Sequence, residues 1–308
     1  MLNVLFFVST VLIWGTTWIA ISMQVGPVPV LVSIFYRFAT AGVVFMAVLF
    51  CSRKLTIPSL RQHRFIFMQA LCLFSINFIF FYNSASYISS GLISVIFSLA
   101  TIYNAINARL FFGDRITGRA LVAGVLGVAG LVLLFGPDLL VDLNVNTLKG
   151  IAFAALGTLF FSFGNMVSRR NSAAGVSPVT ANAWVMLYGA AILLVLIVVT
   201  GTPVVGPTDG RYLGAMLYLA VVGSVIGFTT YLMLVARVGS SQAAYATVLF
   251  PIVALALSSV FEGYRWTFHG VCGLVLTLLG NGVMFSGRGP GRPRVADVPP
   301  GRRGSGAA

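Results

Sequence analysis

Charge is the scarcest thing in this sequence. Only 8% of its 308 residues are charged, and six of them are acidic. Soluble chains carry about 25%. A chain of this length has enough residues to bury a large core in water, but 58% of it is hydrophobic and its mean hydropathy is +0.99. Too little polar surface remains to cover such a core, so composition points to a polytopic membrane protein. Cysteine is nearly absent too. Cys51, Cys72 and Cys272 lie in or beside apolar runs with no CxxC spacing, which signals neither a metal site nor a disulfide framework. There is no Asp/His/Cys cluster and no HExxH-like run. Glu262 and His269, across a loop from each other, are the one candidate acid–base pair. No enzyme chemistry, metal or cofactor is expected.

What is present is a series of long apolar runs. A bilayer core takes about 20 apolar residues per helix. Ten spans are predicted, near 4–23, 33–51, 65–82, 90–111, 119–136, 148–167, 178–200, 211–236, 242–261 and 267–286. Helices satisfy backbone groups in lipid without closure, and no alternating ten-residue pattern indicates a barrel. The first run lacks a basic leader region and a small-residue cleavage site, so it is expected as a retained helix.

The formal net charge of +13 is a matter of topology. Fifteen of the 19 basic residues fall in alternate connections and the tail, from Arg53, Lys54, Arg61 and Arg64 to Arg288–Arg303. Arg37, Lys149, Arg211 and Arg265 fall on the other side. By the positive-inside rule both termini are expected in the cytoplasm. Small loops point to a bacterial inner membrane. The arginines do not signal nucleic-acid binding. The Gly/Pro/Arg-rich tail, 287–308, is expected to be disordered and solvated, with membrane lipid as the other partner its charge could meet.

The two halves resemble each other. At an offset of 150, Phe111 meets Phe261, Gly113 meets Gly263, Arg115 meets Arg265, Gly130 meets Gly280 and Phe135 meets Phe285. Five spans per copy is an odd number, so the second copy must enter the membrane from the opposite face. The expected architecture is an all-α membrane protein of ten transmembrane helices in two inverted five-helix repeats, 1–136 and 148–286, joined by an outer linker, 137–147.

At this point the sequence resembles a known family. "WGTTWIAI" in span one, "RFATAG" at 37–42, "FFGDR" after span four, Pro251 in span nine and "FEGYRW" after it are similar to the motifs of ten-helix drug/metabolite transporters of the EamA type. The resemblance covers residues 1–286. One departure is the turn, where the family's usual Gly-Glu is Gly113-Asp114 in one half and the reversed Glu262-Gly263 in the other. Membership implies secondary transport of small metabolites, often export, without naming the substrate.

The residues themselves propose a cavity. Trp14, Thr17, Trp18 and Ile21 form one helical stripe at mid-span depth. Indoles there give flat apolar surface and can take cations on their faces. Gly15 and Thr16 read as helix packing. Asn77 and Phe81 share a stripe in span three, and Thr101 and Asn104 mark span four beside Phe97. An amide at bilayer depth must face protein or water. In the second half Asn165, Trp184, Tyr231 and Tyr245 are further candidates for substrate binding, and Pro251 is a candidate hinge. The glycines 124, 127 and 130 read as close helix packing. Arg37, at the outer end of span two, is either a snorkelling anchor or a fixed positive group at the cavity mouth.

No Asp, Glu or Lys stands well inside any span. Proton-coupled cation exporters rely on a buried carboxylate, so facilitated transport, or a weak coupling carried elsewhere, is expected instead. The reading that results is a monomeric secondary transporter exporting amino acids or related amphipathic compounds by alternating access. Export of lipophilic or toxic cations is the alternative, and a membrane enzyme on lipid-linked substrates the competing class.

Overall fold

The fold is a helical bundle in a computed structural model, which describes residues 2–26, 28–141, 145–207, 209–238 and 246–285. Among them the helices are α1 (Leu2–Ser22), α2 (Val30–Cys51), α3 (Leu60–Ser84), α4 (Ser90–Phe112), α5 (Gly118–Val141), α6 (Val145–Ala173) and α7 (Pro178–Thr200). They continue with α8 (Gly210–Leu217, Tyr218–Ile226 and Gly227–Val238 end to end), α9 (Ala246–Phe261) and α10 (Phe268–Phe285). No extended strand occurs among the described residues. Eight helices, α1 to α8, are long and apolar enough to cross a membrane. Leu249–Phe261 and Phe268–Val283 are shorter apolar helices. The chain is an integral membrane protein; tail residues 287–308 lie outside the described set.

Local chemistry sets several boundaries. Helix α3 starts five residues before the expected span because Ser59 and Gln62 form a capping box, Oε1 of Gln62 accepting from the Ser59 N–H at 2.9 Å. Pro178 opens α7 at the first helical position. Helix α4 ends at Gly113 (φ 72°) and α9 is followed by Gly263 (φ 71°), both in the left-handed region that favours glycine. Helix α5 runs on to Val141 and α6 begins at Val145.

Two helices carry a π-helical stretch, Leu71–Ile76 in α3 and Tyr218–Ile226 in α8. In each a serine hydroxyl caps the widened turn. Ser75 Oγ donates to the Ala70 carbonyl at 3.2 Å, and Ser224 Oγ to the Leu219 carbonyl at 2.8 Å, both five residues back.

Helices α5 and α10 pack extensively against each other, as do α2 with α7 and α1 with α9. Further pairs are α6 with α3 and α4, α1 with α8, α2 with α8, α3 with α7, and α4 with α9. The connections after α1, α3, α7 and α9 share one end of the bundle, called here the Glu262 face. Those after α2, α4 and α6 share the other, the Asp114 face.

The α5–α10 contact is made backbone to backbone. A Cβ on Gly130 would stand 2.6 Å from the Gly273 carbonyl, and one on Gly280 would stand 2.9 Å from the Ala123 carbonyl. Gly127 faces Leu99 as closely, whereas Gly124 has only ordinary contacts. Gly130→Val is expected to cost about 1–3 kcal/mol through overpacking against an unyielding backbone. Gly118→Ala, where nothing lies within 4 Å, should leave stability unchanged. Melting of the purified protein in detergent, followed by size-exclusion chromatography, reads both.

Candidate functional site

Two adjoining cavities occupy the middle of the bundle. The deeper one, of about 90 Å³, is walled by Trp14, Thr17, Trp18 and Ile21 of α1 and by Leu73, Asn77, Phe78 and Phe81 of α3. Arg37 of α2, Phe97 of α4, Phe161 of α6, Gly223 and Phe228 of α8, and Phe250 of α9 complete it. The second is a vestibule of about 670 Å³. It runs from Trp14, Phe97 and Phe161, which the two cavities share, past Thr101, Asn104, Asn165 and Tyr231 to Asp114, Arg115 and Arg169. It therefore reaches the Asp114 face.

The shared wall is aromatic. Phe97 meets Phe161 edge-on at 4.6 Å between ring centres, and Trp14 meets Tyr231 at 4.9 Å. Trp18 sits against Phe81 at 5.3 Å and Phe97 at 5.5 Å. Such contacts add about 0.5–1.5 kcal/mol beyond burial and hold each ring in place.

Arg37 corrects the expectation placed on it. It neither snorkels nor stands at a mouth. It is 4% exposed, two turns inside α2, with its guanidinium 4.5 Å from the Phe78 ring centre and 5.1 Å from that of Phe38. The rings of α2 and α3 hold the charge in the chamber and away from lipid. Its Nε and Nη1 have no hydrogen-bond partner, and neither has Oδ1 of Asn77, which is 1% exposed. Thr17, by contrast, spends its hydroxyl on the Trp14 carbonyl at 2.7 Å.

In the vestibule, Thr101 Oγ1 donates to Asn281 Oδ1 at 2.7 Å, and Asn165 Nδ2 donates to Asn104 Oδ1 at 3.4 Å. Its mouth carries the ion pair Arg169–Asp114 at 2.6 Å. The hydrogen bond from Arg169 holds the Asp114 carboxyl below its usual range. Asp114 is thus ionised at neutral pH. The pair is lost only as pH falls through that lowered value.

Other expected residues lie elsewhere. Trp184 belongs to a separate cluster, 4.9 Å from His63 between ring centres and 6.1 Å from Tyr188, with Nε1 donating to the Thr56 carbonyl at 3.3 Å. That cluster ties α3 to α7. Pro251 lies inside α9, beside Phe250 of the chamber wall. Tyr245 lies outside the described residues. Gly15 packs on α9, where a Cβ would meet Val253 at 2.6 Å. His269 is exposed beside Phe268, and Glu262 is engaged with Ser90, so the two do not form an acid–base site.

Sequence reasoning missed Phe78, Phe161, Phe228 and Phe250. Two of them left a signal. Phe228 stands at the repeat offset from Phe78, and Phe161 is one turn before Asn165 on the same stripe.

Bonds between elements tie the Glu262 face together. The Glu262 carboxylate accepts from the Ser90 N–H at 3.0 Å and from Ser90 Oγ at 2.7 Å, capping α4. Tyr82 OH donates to Gln24 Oε1 at 2.7 Å, and Tyr212 OH to Ser33 Oγ at 2.8 Å.

Helices from both halves of a membrane bundle wall this central cavity, the position at which secondary transporters place their binding sites. Residues 1–136 and 148–286 match the EamA-like transporter family, and the chain belongs to it. It is 25% identical to Protein PagO of Salmonella typhimurium over 92% of this chain and 94% of that one. It is 27% identical to the uncharacterized inner membrane transporter YedA of Escherichia coli K12, over 93% and 92%. A solved crystal structure matches in fold with a TM-score of 0.66 at 18% identity, over 92% of this chain and 96% of that one.

Two outcomes follow from this geometry. Glu262→Ala removes the cap of α4, worth about 1 kcal/mol, so amides at 90–93 should exchange hydrogen about fivefold faster. The Asp114–Arg169 pair should persist from about pH 8 to pH 5, leaving the melting temperature of wild type and Asp114→Asn parallel across that range.

Proposed function

We propose that this protein is a secondary transporter that moves small amphipathic metabolites, exporting amino acids or related compounds by alternating access. The observation that carries the reading is the pair of adjoining cavities, reaching one face at Asp114 and Arg169, while the Glu262–Ser90 bonds tie elements together at the other. With both termini cytoplasmic, as the basic connections imply, this is a form open to the cytoplasm.

Two inverted five-helix repeats of ten spans are part of the proposal. Exchanging each helix for the one five places on turns α1–α9 into α6–α4, α1–α8 into α6–α3, and α2–α8 into α7–α3, all of them observed pairs. The π-helical stretches of α3 and α8 and the left-handed glycines Gly113 and Gly263 exchange likewise. Alternating access in this scheme swaps the environments of the two halves around a fixed site. All the spans lie in one chain, so a monomer suffices, in a bacterial inner membrane.

Aromatic walls also suit lipophilic cations, the second reading. Against it, no acidic side chain among the described residues lines the deeper chamber, and a guanidinium does. For the same reason facilitated transport or exchange is expected rather than carboxylate-based proton antiport.

Uptake and counterflow in proteoliposomes, against labelled amino acids and organic cations, test the function. Saturable amino-acid exchange is expected. Trp14→Ala and Asn104→Ala should each lower it about tenfold, the equivalent of about 1.4 kcal/mol. Movement of cations alone would overturn the substrate class, and proton flux locked to substrate would overturn the uncoupled mechanism.

A further inference from the structure

The deeper chamber contains a positive charge with nothing to balance it. Among the described residues the one ion pair is Arg169–Asp114, at the vestibule mouth. Arg37 has no carboxylate within reach; around it stand the rings of Phe38 and Phe78 and the Tyr82 hydroxyl. A buried guanidinium with two idle donors is costly. The cost is offset when an anion enters, because charge-assisted bonds in a water-poor site are strong.

The chamber also limits which anion fits. It is about 90 Å³, far below the roughly 300 Å³ of a drug-sized pocket, so it admits a head group and leaves the rest of the molecule to the vestibule. One guanidinium balances one negative charge. The other idle group is an acceptor, Asn77 Oδ1, which repels a second negative charge and favours a donor. The Thr17 hydroxyl proton is already committed, so it offers an anion no donor. Phosphates and other dianions are therefore disfavoured, and so are cations without an acid group. The remaining walls are aromatic and aliphatic, with the indoles of Trp14 and Trp18 adding N–H donors rather than charge.

We propose that Arg37 and Asn77 form the head-group subsite of the carrier, selecting a monocarboxylate that also bears a hydrogen-bond donor, an amino or hydroxy acid, with an apolar body. The carboxylate meets the guanidinium and the donor meets Asn77 Oδ1. The proposal rests on the transporter reading and deepens it. It also has a consequence for flux. The substrate is the counter-ion of Arg37, so the empty carrier must reorient with a bare buried charge, while the loaded carrier does not. Exchange is then faster than net efflux.

The test uses full-length protein in proteoliposomes, with L-phenylalanine, phenyllactate, 3-phenylpropionate, phenylalaninamide and phenylphosphonate as probes. Each is measured for transport and for competition in counterflow. Phenylalanine and phenyllactate should compete at least about tenfold better than the amide, which lacks the carboxylate, or 3-phenylpropionate, which lacks the donor. Exchange should outrun net efflux. Arg37→Gln should abolish the preference for carboxylate over amide. Asn77→Asp places a carboxylate in the same chamber as Arg37 and should lose carboxylate binding in a protein that folds normally. Equal competition by acid and amide in wild type overturns the proposal without any variant. So does unchanged carboxylate affinity in Arg37→Gln or Asn77→Asp. Saturable movement of the amide alone would leave the transporter standing and sink the subsite, whereas movement of no probe would sink both.

Discussion

Lipid offers no hydrogen-bond partners, and this constraint organises the polar half of the structure. Hydroxyls inside the bundle turn back on their own helices: Thr10 donates to the Phe6 carbonyl, Thr158 to Ala154 and Thr277 to Gly273. Amides pair between helices, as Asn107 does with Ser162 at 2.9 Å and Asn171 with Gln69 at 2.9 Å. Ser84 reaches the Gly150 carbonyl at 2.7 Å and fastens α3 to α6. Most buried polar atoms are consumed in this way. Of the described side chains that keep an unsatisfied atom, only Arg37 and Asn77 line the deeper chamber. They stand out because their unsatisfied atoms belong to the wall of a cavity.

Backbone packing provides the frame for this chamber. Glycines let α5 and α10 touch along their carbonyls, away from the centre, and neither helix lines the deeper chamber. Large rings then fill the centre, where Phe38, Phe74, Phe78 and Phe81 form a continuous set with centre distances of 4.9 to 6.4 Å. The π-helical turns of α3 and α8 belong to the same design. Each widens its helix beside a chamber residue, Leu73 in one and Gly223 in the other, and each meets the extra backbone demand with a serine from the same stretch. A single solution has been used at both places, at nearly the offset that relates the two halves in sequence.

The helices were legible because a bilayer imposes a length, and length survives in composition. The α1 stripe was legible because two indoles and a hydroxyl at helical spacing are out of place against lipid tails. What sequence could not supply was direction across helices. A residue two turns from a helix end faces head groups or a cavity with the same spacing; for Arg37 the choice is made by Phe78, on another helix. Trp184 has the same composition signal as Trp14, yet α7 turns it toward His63 and Thr56. Phe250 left no signal at all, since an apolar ring in an apolar run is ordinary until α1 and α4 are seen beside it.

The arrangement of charge follows from the same physics. At the vestibule mouth, where water screens, Asp114 and Arg169 pair with half-exposed side chains and contribute little. Deeper in, the dielectric falls and a lone charge becomes decisive. A carboxylate beside Arg37 would satisfy it permanently and leave the chamber neutral, apolar and indifferent to the charge of what enters. By leaving the guanidinium unpaired, the fold keeps a strong interaction in reserve that a ligand must complete. Under the proposed function, selectivity and the preference for exchange are then two effects of one missing anion. The scarcity of acidic residues that first marked the sequence as a membrane protein is, at this position, a property of the site.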